Sequence, residues 1–464
     1  MLKIIFLMLL SGGIPVALAM AGSALLYIWW SASLPPYVVI HRMVSGIDSF
    51  PLLAVPFFIL AGNLMNNAGI TNRIYNYALA LVGWMKGGLG HVNVVGSVVF
   101  AGMSGTAIAD AAGLGTIEIK AMTDHGYSKE FAVGVTAASA TLGPIIPPSL
   151  PFVIYGMMAN VSIGSLFLAG ILPGLMMALL MMLTVAYFAH KNGWGADVQF
   201  TWLRLNKALI ETAVVIALPL LLWVLISKFD FQPQITVAIA LVALFTADKV
   251  FNFQAVLPIM TPVLLIGGMT TGLFTPTEGA IAACGWAMIL GFFWYRTLSF
   301  KTFVKVCLDT VETTATVLFI VAAASIFGWM LTATGVTKDI AQWVLEFTRE
   351  AWVFLLLANV LMLFVGCFLE PTAAITILVP ILVPIATQLG IDPVHFGLIM
   401  VLNLMIGLLH PPMGMVLFVL ARVAKLSVER TTIAILPWLA PLLVSLGVIT
   451  YCPKLVMWLP KMFY

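Results

Sequence analysis

The sequence predicts an all-α polytopic membrane protein, with about eleven transmembrane helices and two re-entrant helical hairpins set in inverted repeats. Three observations carry that expectation: composition, the spacing of the apolar segments, and an internal repeat. Of 464 residues, 62% are hydrophobic and only 8% are charged. Soluble domains carry about 25% charged residues, and the mean hydropathy here is +1.11, so no ordinary water-facing surface can be built. Segments of about 20 apolar residues fit helices, whereas a β-barrel would show only short alternating stretches. The near-balanced formal charge of +3 argues against nucleic-acid binding, which needs a basic face. Cys284, Cys307, Cys367 and Cys452 are far apart in apolar stretches. They read as small hydrophobes, without metal spacing or a disulfide framework.

The first apolar segment, at 3–30, begins with Lys3 and contains Ala17-Leu18-Ala19, which resembles a signal-peptide cleavage site. The apolar run continues to Trp30, so an uncleaved first span is expected. Further spans are expected at 52–70, 131–160, 165–189, 208–227, 233–248, 254–271, 277–295, 310–334, 395–421 and 433–453. Residues 88–125 and 350–390 are apolar but interrupted by Gly, Ser, Thr, Pro and single acids. Each is expected to enter the membrane and leave on the same side, which lipid tolerates only inside protein or beside water. Basic residues set the sidedness. His190, Lys191, Arg204 and Lys207 share one loop; Arg296, Lys301 and Lys305 share another; Arg422, Lys425 and Arg430 share a third. With two same-side hairpins all three fall on one face, together with Lys86, Lys120 and Lys129, while Glu350 and Asp392 fall opposite. The N-terminus is therefore expected in the cytoplasm and the C-terminus outside. Lys3 agrees, and Arg42 is an exception.

The two halves resemble each other. GNLMNNAGIT at 62–71 matches GWMLTATGVT at 328–337, aligning Gly62 with Gly328 and Gly69 with Gly335. TLGPIIPPS at 141–149 matches IGLLHPPMG at 406–414. Pro147 and Pro148 pair with Pro411 and Pro412 at an offset of 264, the offset that also relates Gly102 to Gly366. The expected organisation is a first repeat over 1–189, connecting spans over 190–272 and a second repeat over 273–464. Each repeat holds four spans and one hairpin, and three spans separate the repeats. Corresponding elements are then seven spans apart, an odd number, so the repeats are inverted. Inverted repeats with paired Gly/Pro-interrupted segments are the signature of secondary transporters.

SGTAIADAAG at 104–113 is the expected tip of the first hairpin, with Thr106 and Asp110 four residues apart on one helical face. An acid at membrane depth costs about 2.5–3.5 kcal/mol, so Asp110 should face a cation, water or a partner, or cap a helix. Pro144, Pro147 and Pro148 cannot donate backbone hydrogen bonds, so the span at 131–160 should break from Gly143 to Ser149. Carbonyls freed there are oxygen ligands for Na⁺, and the following helix N-terminus can face a carboxylate. LEPTAAITILVP at 369–380, with Glu370, Thr372 and Thr376, and a break from Gly407 to Gly414 repeat the arrangement. Glu278, in TPTEGA at 275–280, could be a ligand or a helix cap; Asn403 could contact substrate or bridge helices; His410 reads as a packed histidine or a proton carrier.

These motifs, in this order, resemble the large membrane subunit of tripartite ATP-independent periplasmic (TRAP) transporters over essentially the whole length. The resemblance implies an elevator-type fold, with a scaffold and a mobile transport domain holding both hairpins. It also implies Na⁺-coupled import of an organic acid across the bacterial inner membrane, with two Na⁺ sites. Matched by position, the first site would involve Ser104, Thr106, Asp110 and the Gly143–Pro144 carbonyls. The second would involve Glu370, Thr372 and the Gly407–Leu408 carbonyls, with substrate near Ser149 and Asn403. The implied partners are a small membrane subunit of about four helices, expected as a separate chain, and a periplasmic binding protein that delivers substrate. No intramembrane Arg stands at a tip, so amides and hydroxyls would have to receive the carboxylate. Two alternatives differ in kind. A stand-alone Na⁺/carboxylate symporter would need no binding protein. An intramembrane serine protease would use the G-x-S-G of 102–105 with His125 or His410, but needs a histidine base presented to the serine.

Overall fold

The computed structural model describes residues 1–31, 34–229, 257–270, 273–410 and 414–463. Among them there is no strand, only an isolated bridge between Lys86 and Ala196. The apolar stretch at 3–30 is not one span. It forms α1 (Leu2–Ser11) and α2 (Val16–Ser31), because Gly13 takes φ +78° and Pro15 cannot continue the first helix. At 1.5 Å per residue α1 is about 15 Å long, half the hydrocarbon thickness, and cannot cross alone. Helices α3 (Tyr37–Ile47) and α4 (Ala54–Asn67) follow, and Gly69 at φ +68° turns the chain into α5 (Ile70–Val82). This last helix was not expected: Asn72, Arg73 and Asn76 interrupt its apolar run, and it presents one buried face, with Ile70, Ile74 and Tyr77.

The expected hairpins are present. The first consists of α6 (Gly88–Ser104), then α7 (Ala107–Ala112) and α8 (Leu114–Asp124) after a reversal at Gly105. The broken span consists of α9 (Lys129–Ala140) and α10 (Leu150–Met158), with the predicted break between them. Next come α11 (Ile163–Asn192), α12 (Trp202–Phe229), α13 (Met260–Thr270) and α14 (Pro276–Met288), the last continuing as a π-turn to Trp294. The expected span at 233–248 lies outside the described residues. The 34-residue α15 (Phe300–Ala333) precedes α16 (Val336–Phe347). The second hairpin is α17 (Ala351–Gly366) and α18 (Pro371–Gln388). The second broken span is α19 (Pro393–Gly407) and α20 (Met415–Ala424), and the chain ends with α21 (Val428–Tyr451) and α22 (Pro453–Phe463). Pro411 and Pro412 lie outside the described residues. Six described helices are long and apolar enough to cross a membrane unaided, α18 of the second hairpin among them, while the other hairpin arms and the half-helices are shorter.

The repeat recurs in local geometry. Thr106 and Glu370, 264 positions apart, each cap the second arm of a hairpin, and Ser128 and Asp392, also 264 apart, cap α9 and α19. Gly126 and Gly390 both adopt positive φ just before those caps. The broken spans run antiparallel. At one end the Tyr155 hydroxyl, late in α10, donates to the Pro393 carbonyl at the start of α19, at 2.6 Å. At the other, Glu130 at the start of α9 pairs with Arg430, just beyond α20, at 3.6 Å. The bases of the two hairpins therefore lie at opposite ends of the structure.

Interhelical hydrogen bonds fasten each hairpin to its broken span, which matters in lipid because apolar contacts alone give no hydrophobic gain there. In the first repeat the Asn93 amide donates to Glu118 at 2.6 Å and to Thr136 at 2.8 Å, and Ser139 donates to the Asn93 carbonyl oxygen at 2.7 Å. In the second, Asn403 donates to Asn359 at 2.7 Å, and Asn359 donates to Thr450 at 3.1 Å.

Candidate functional site

The two hairpin tips and the two helix breaks converge on a cavity of about 660 Å³. Six of the nine sequence-predicted cation ligands line it: Ser104, Thr106, Pro144, Glu370, Thr372 and Leu408. Asp110, Gly143 and Gly407 stand behind that wall.

The first tip fits glycine chemistry. Gly105 has φ +64°, and a Cβ there would lie 2.8 Å from the Pro148 carbonyl oxygen. Leu150 N–H donates to the Gly105 carbonyl at 3.4 Å, sewing the tip to the start of α10. Thr106 has extended backbone and its hydroxyl accepts from Ala109 N–H at 3.3 Å, so it caps α7 and does not share a helical face with Asp110 as the four-residue spacing implied. Gly143 lets the break approach closely: a Cβ there would be 3.0 Å from the Thr106 carbonyl oxygen. Asp110 is buried, with Oδ2 lacking any hydrogen-bond partner, as does the buried Ser104 hydroxyl. Unpaired buried oxygens are costly, and hard oxygen donors of this kind suit a small cation.

At the second tip the Glu370 carboxylate accepts from Thr372 N–H at 3.1 Å and Ala373 N–H at 3.3 Å, and from the Thr372 hydroxyl. It caps α18 while lining the cavity, where the helix N-terminus favours its charge. Behind it Gly366 and Gly407 touch: a Cβ on Gly407 would sit 2.7 Å from the Gly366 backbone. Gly407→Val is expected to destabilise by about 1–3 kcal/mol or more, since backbone cannot repack as side chains can. Lower yield of folded protein and a reduced thermal midpoint in detergent would show it, and a parental midpoint would refute the contact.

The remaining candidates separate cleanly. The Ser149 hydroxyl donates to the Pro144 carbonyl and accepts from Phe152 N–H at 3.3 Å, so it braces the break and caps α10. Asn403 bridges α19 to α17. Neither lines the cavity. Glu278 forms a capping box with Thr275: its carboxylate accepts from Thr275 N–H at 2.7 Å, and Thr275 caps Glu278 N–H at 3.3 Å. The ring of His410 engages the Ile406 carbonyl at 3.1 Å, a packed histidine at the break. Pro147 and Pro148 form the break itself. His125 bonds the Ala121 carbonyl at the far end of α8 from Ser104, so the G-x-S-G motif is not presented with that base. Missed by the sequence reading were Asn63, Asn66 and Thr71, and Thr313 on α15, which give the opposite wall its polar groups. Asn66 is placed closely enough that its Oδ1 would be 3.0 Å from a Cβ on Gly113, and that oxygen has no partner. The signal was in GNLMNNAGIT, used only as a repeat marker.

Comparison with known proteins follows the same direction. Residues 3–455 match the family described as the tripartite ATP-independent periplasmic transporter, DctM component. The chain is 41% identical over 455 residues to the sialic acid TRAP transporter large permease protein SiaM of Vibrio cholerae, covering 98% of this chain and 96% of that protein. It is 31% identical to the C4-dicarboxylate TRAP transporter large permease protein DctM of Rhodobacter capsulatus, covering 97% and 96%. Among solved structures, the YdaH transporter of Alcanivorax borkumensis shares the fold at a TM-score of 0.61 and 13% identity, covering 92% of this chain and 89% of that one. These relatives are transporter permeases rather than enzymes. The all-helical membrane fold, the converging tips and the full-length match make this chain a member of the TRAP transporter large permease (DctM) family.

Proposed function

We propose that this permease imports an organic acid across the bacterial inner membrane, driven by Na⁺ and moving both hairpins with their broken spans as one unit against a scaffold of α4, α5 and α15. The observation that carries the reading is the convergence of two capped tips and two helix breaks on one cavity with unpaired buried oxygens. Asp110 and Ser104 supply anionic and hydroxyl oxygens on the first side, and Glu370 and Thr372 supply them on the second. Na⁺, travelling as co-substrate, would offset their cost and present positive charge to a carboxylate in a cavity lined, among the described residues, by no Arg, Lys or His. Asn63, Asn66 and Thr313 face that carboxylate's substituents from the scaffold side. The substrate class, an acid such as sialic acid or a C4-dicarboxylate, is taken from what the relatives' names say of them. The partners are a small membrane subunit and a periplasmic binding protein, with the N-terminus in the cytoplasm and the C-terminus in the periplasm.

The test is uptake into proteoliposomes containing this chain and its small subunit, with a binding protein loaded with sialic acid outside. Accumulation should require an inward Na⁺ gradient and the binding protein together. Accumulation without the binding protein would instead support a stand-alone symporter, and accumulation indifferent to Na⁺ would remove the coupling.

A further inference from the structure

Remote from the transport cavity, a second cavity of about 760 Å³ lies where the base of the second hairpin meets the C-terminal helix. Its floor is apolar, with Leu355 on α17, Ile391 before α19 and Met457 on α22. Its rim carries Lys454 and Lys461, seven residues apart and so on one side of α22, with Trp458 between them. Both lysines are exposed, and among the described residues neither has an ion-pair partner. Asp392, the one carboxylate lining the cavity among the described residues, is engaged: its Oδ1 accepts from Val394 N–H at 2.8 Å and His395 N–H at 3.4 Å. The His395 ring is likewise occupied by the Ile449 carbonyl at 2.8 Å.

The opposite face of α22, with Val456 and Pro460, is buried against the protein. An amphipathic helix so placed, bearing Lys and Trp outward, lies along the membrane interface. Trp352 and Tyr451, also on the cavity wall and exposed, are the residue types that settle at headgroup level. The cavity thus has an apolar floor, an aromatic collar and two lysines that, among the described residues, form no ion pair, residue types suited to headgroup level.

We propose that this cavity is a binding site for one anionic phospholipid, with its phosphate held between Lys454 and Lys461 and an acyl chain on the Leu355–Ile391–Met457 floor. Because α17 and α19 belong to the hairpin and broken span of the second repeat, the lipid would sit on that repeat's outer edge, and the assignment does not depend on the coupling ion.

Native mass spectrometry of the full chain in detergent, titrated with phosphatidylglycerol or with phosphatidylcholine of the same acyl chains, tests it. Phosphatidylglycerol is expected to bind at least tenfold more tightly, and the Lys454→Gln/Lys461→Gln variant should bind both lipids alike. If the double variant does not purify folded, each single substitution should still reduce the preference severalfold. Equal binding of the two lipids by the parent, or an undiminished preference in the variants, overturns the site. Displacement of phosphatidylglycerol by millimolar inorganic phosphate would show a free-anion site and overturn the lipid assignment.

Discussion

Asp110→Asn is expected to raise the Na⁺ concentration needed for half-maximal uptake by about ten- to a hundredfold while leaving insertion and folding intact. The substitution keeps the side chain's shape and removes the charge. A contact to a charged group contributes about 1.5–3 kcal/mol, and 1.4 kcal/mol is a factor of ten. Asp110 does not line the open cavity. It stands one turn behind Thr106, buried, with Oδ2 unpartnered, so its expected role is to hold positive charge at the tip from behind. Na⁺ activation curves of parent and variant in proteoliposomes decide the matter. Superimposable curves would assign Asp110 to structure alone, beside the Asn93–Glu118–Thr136 cluster.

Cross-linking α4 to the first hairpin should abolish uptake and reduction should restore it. Asn66 faces the α7–α8 junction closely, as its approach to Gly113 shows, and both Asn66 and Ala112 border the cavity. Asn66→Cys with Ala112→Cys, bridged by a short reducible reagent, would tie the two walls together. Cys284, Cys307, Cys367 and Cys452 must first be replaced, since Cys452 is exposed. Movement of the hairpin against α4 is large in an elevator, so even a flexible linker should stop turnover. Persistent uptake at complete cross-linking would exclude that motion.

Much of this was legible in the sequence, for a physical reason. A backbone that stops being helical inside lipid must be announced by Gly and Pro, so the breaks stand out in TLGPIIPPS and IGLLHPPMG and the hairpin tips in SGTAIADAAG and LEPTAAITILVP. What the sequence concealed were short amphipathic elements. Helices α5 and α16 carry too many polar residues to register as spans and too few turn residues to register as loops, α22 at 11 residues is too short to register as a span, and the Gly12–Pro15 interruption in the first apolar run is outweighed by its hydrophobic flanks. At the site, spacing placed Thr106 and Asp110 on a shared face because it presumed a helix through both. The extended backbone of the capping residue breaks that register. Ser149 and Asn403 were legible as polar residues in apolar segments, but only their hydrogen bonds show that the Ser149 hydroxyl is spent on the backbone and the Asn403 NH2 group on Asn359, leaving the buried Asn403 oxygen unpartnered.

The length of α15 has its own implication. Thirty-four residues at 1.5 Å rise reach about 51 Å, against a hydrocarbon slab about 30 Å thick. The stretch from Thr313 to Ala333 suffices to traverse the slab, and the preceding turns carry Lys301, Lys305, Asp309 and Glu312, which favour water. The surplus of about 20 Å must either lean the helix or carry its charged first turns out beyond the hydrocarbon into the aqueous phase.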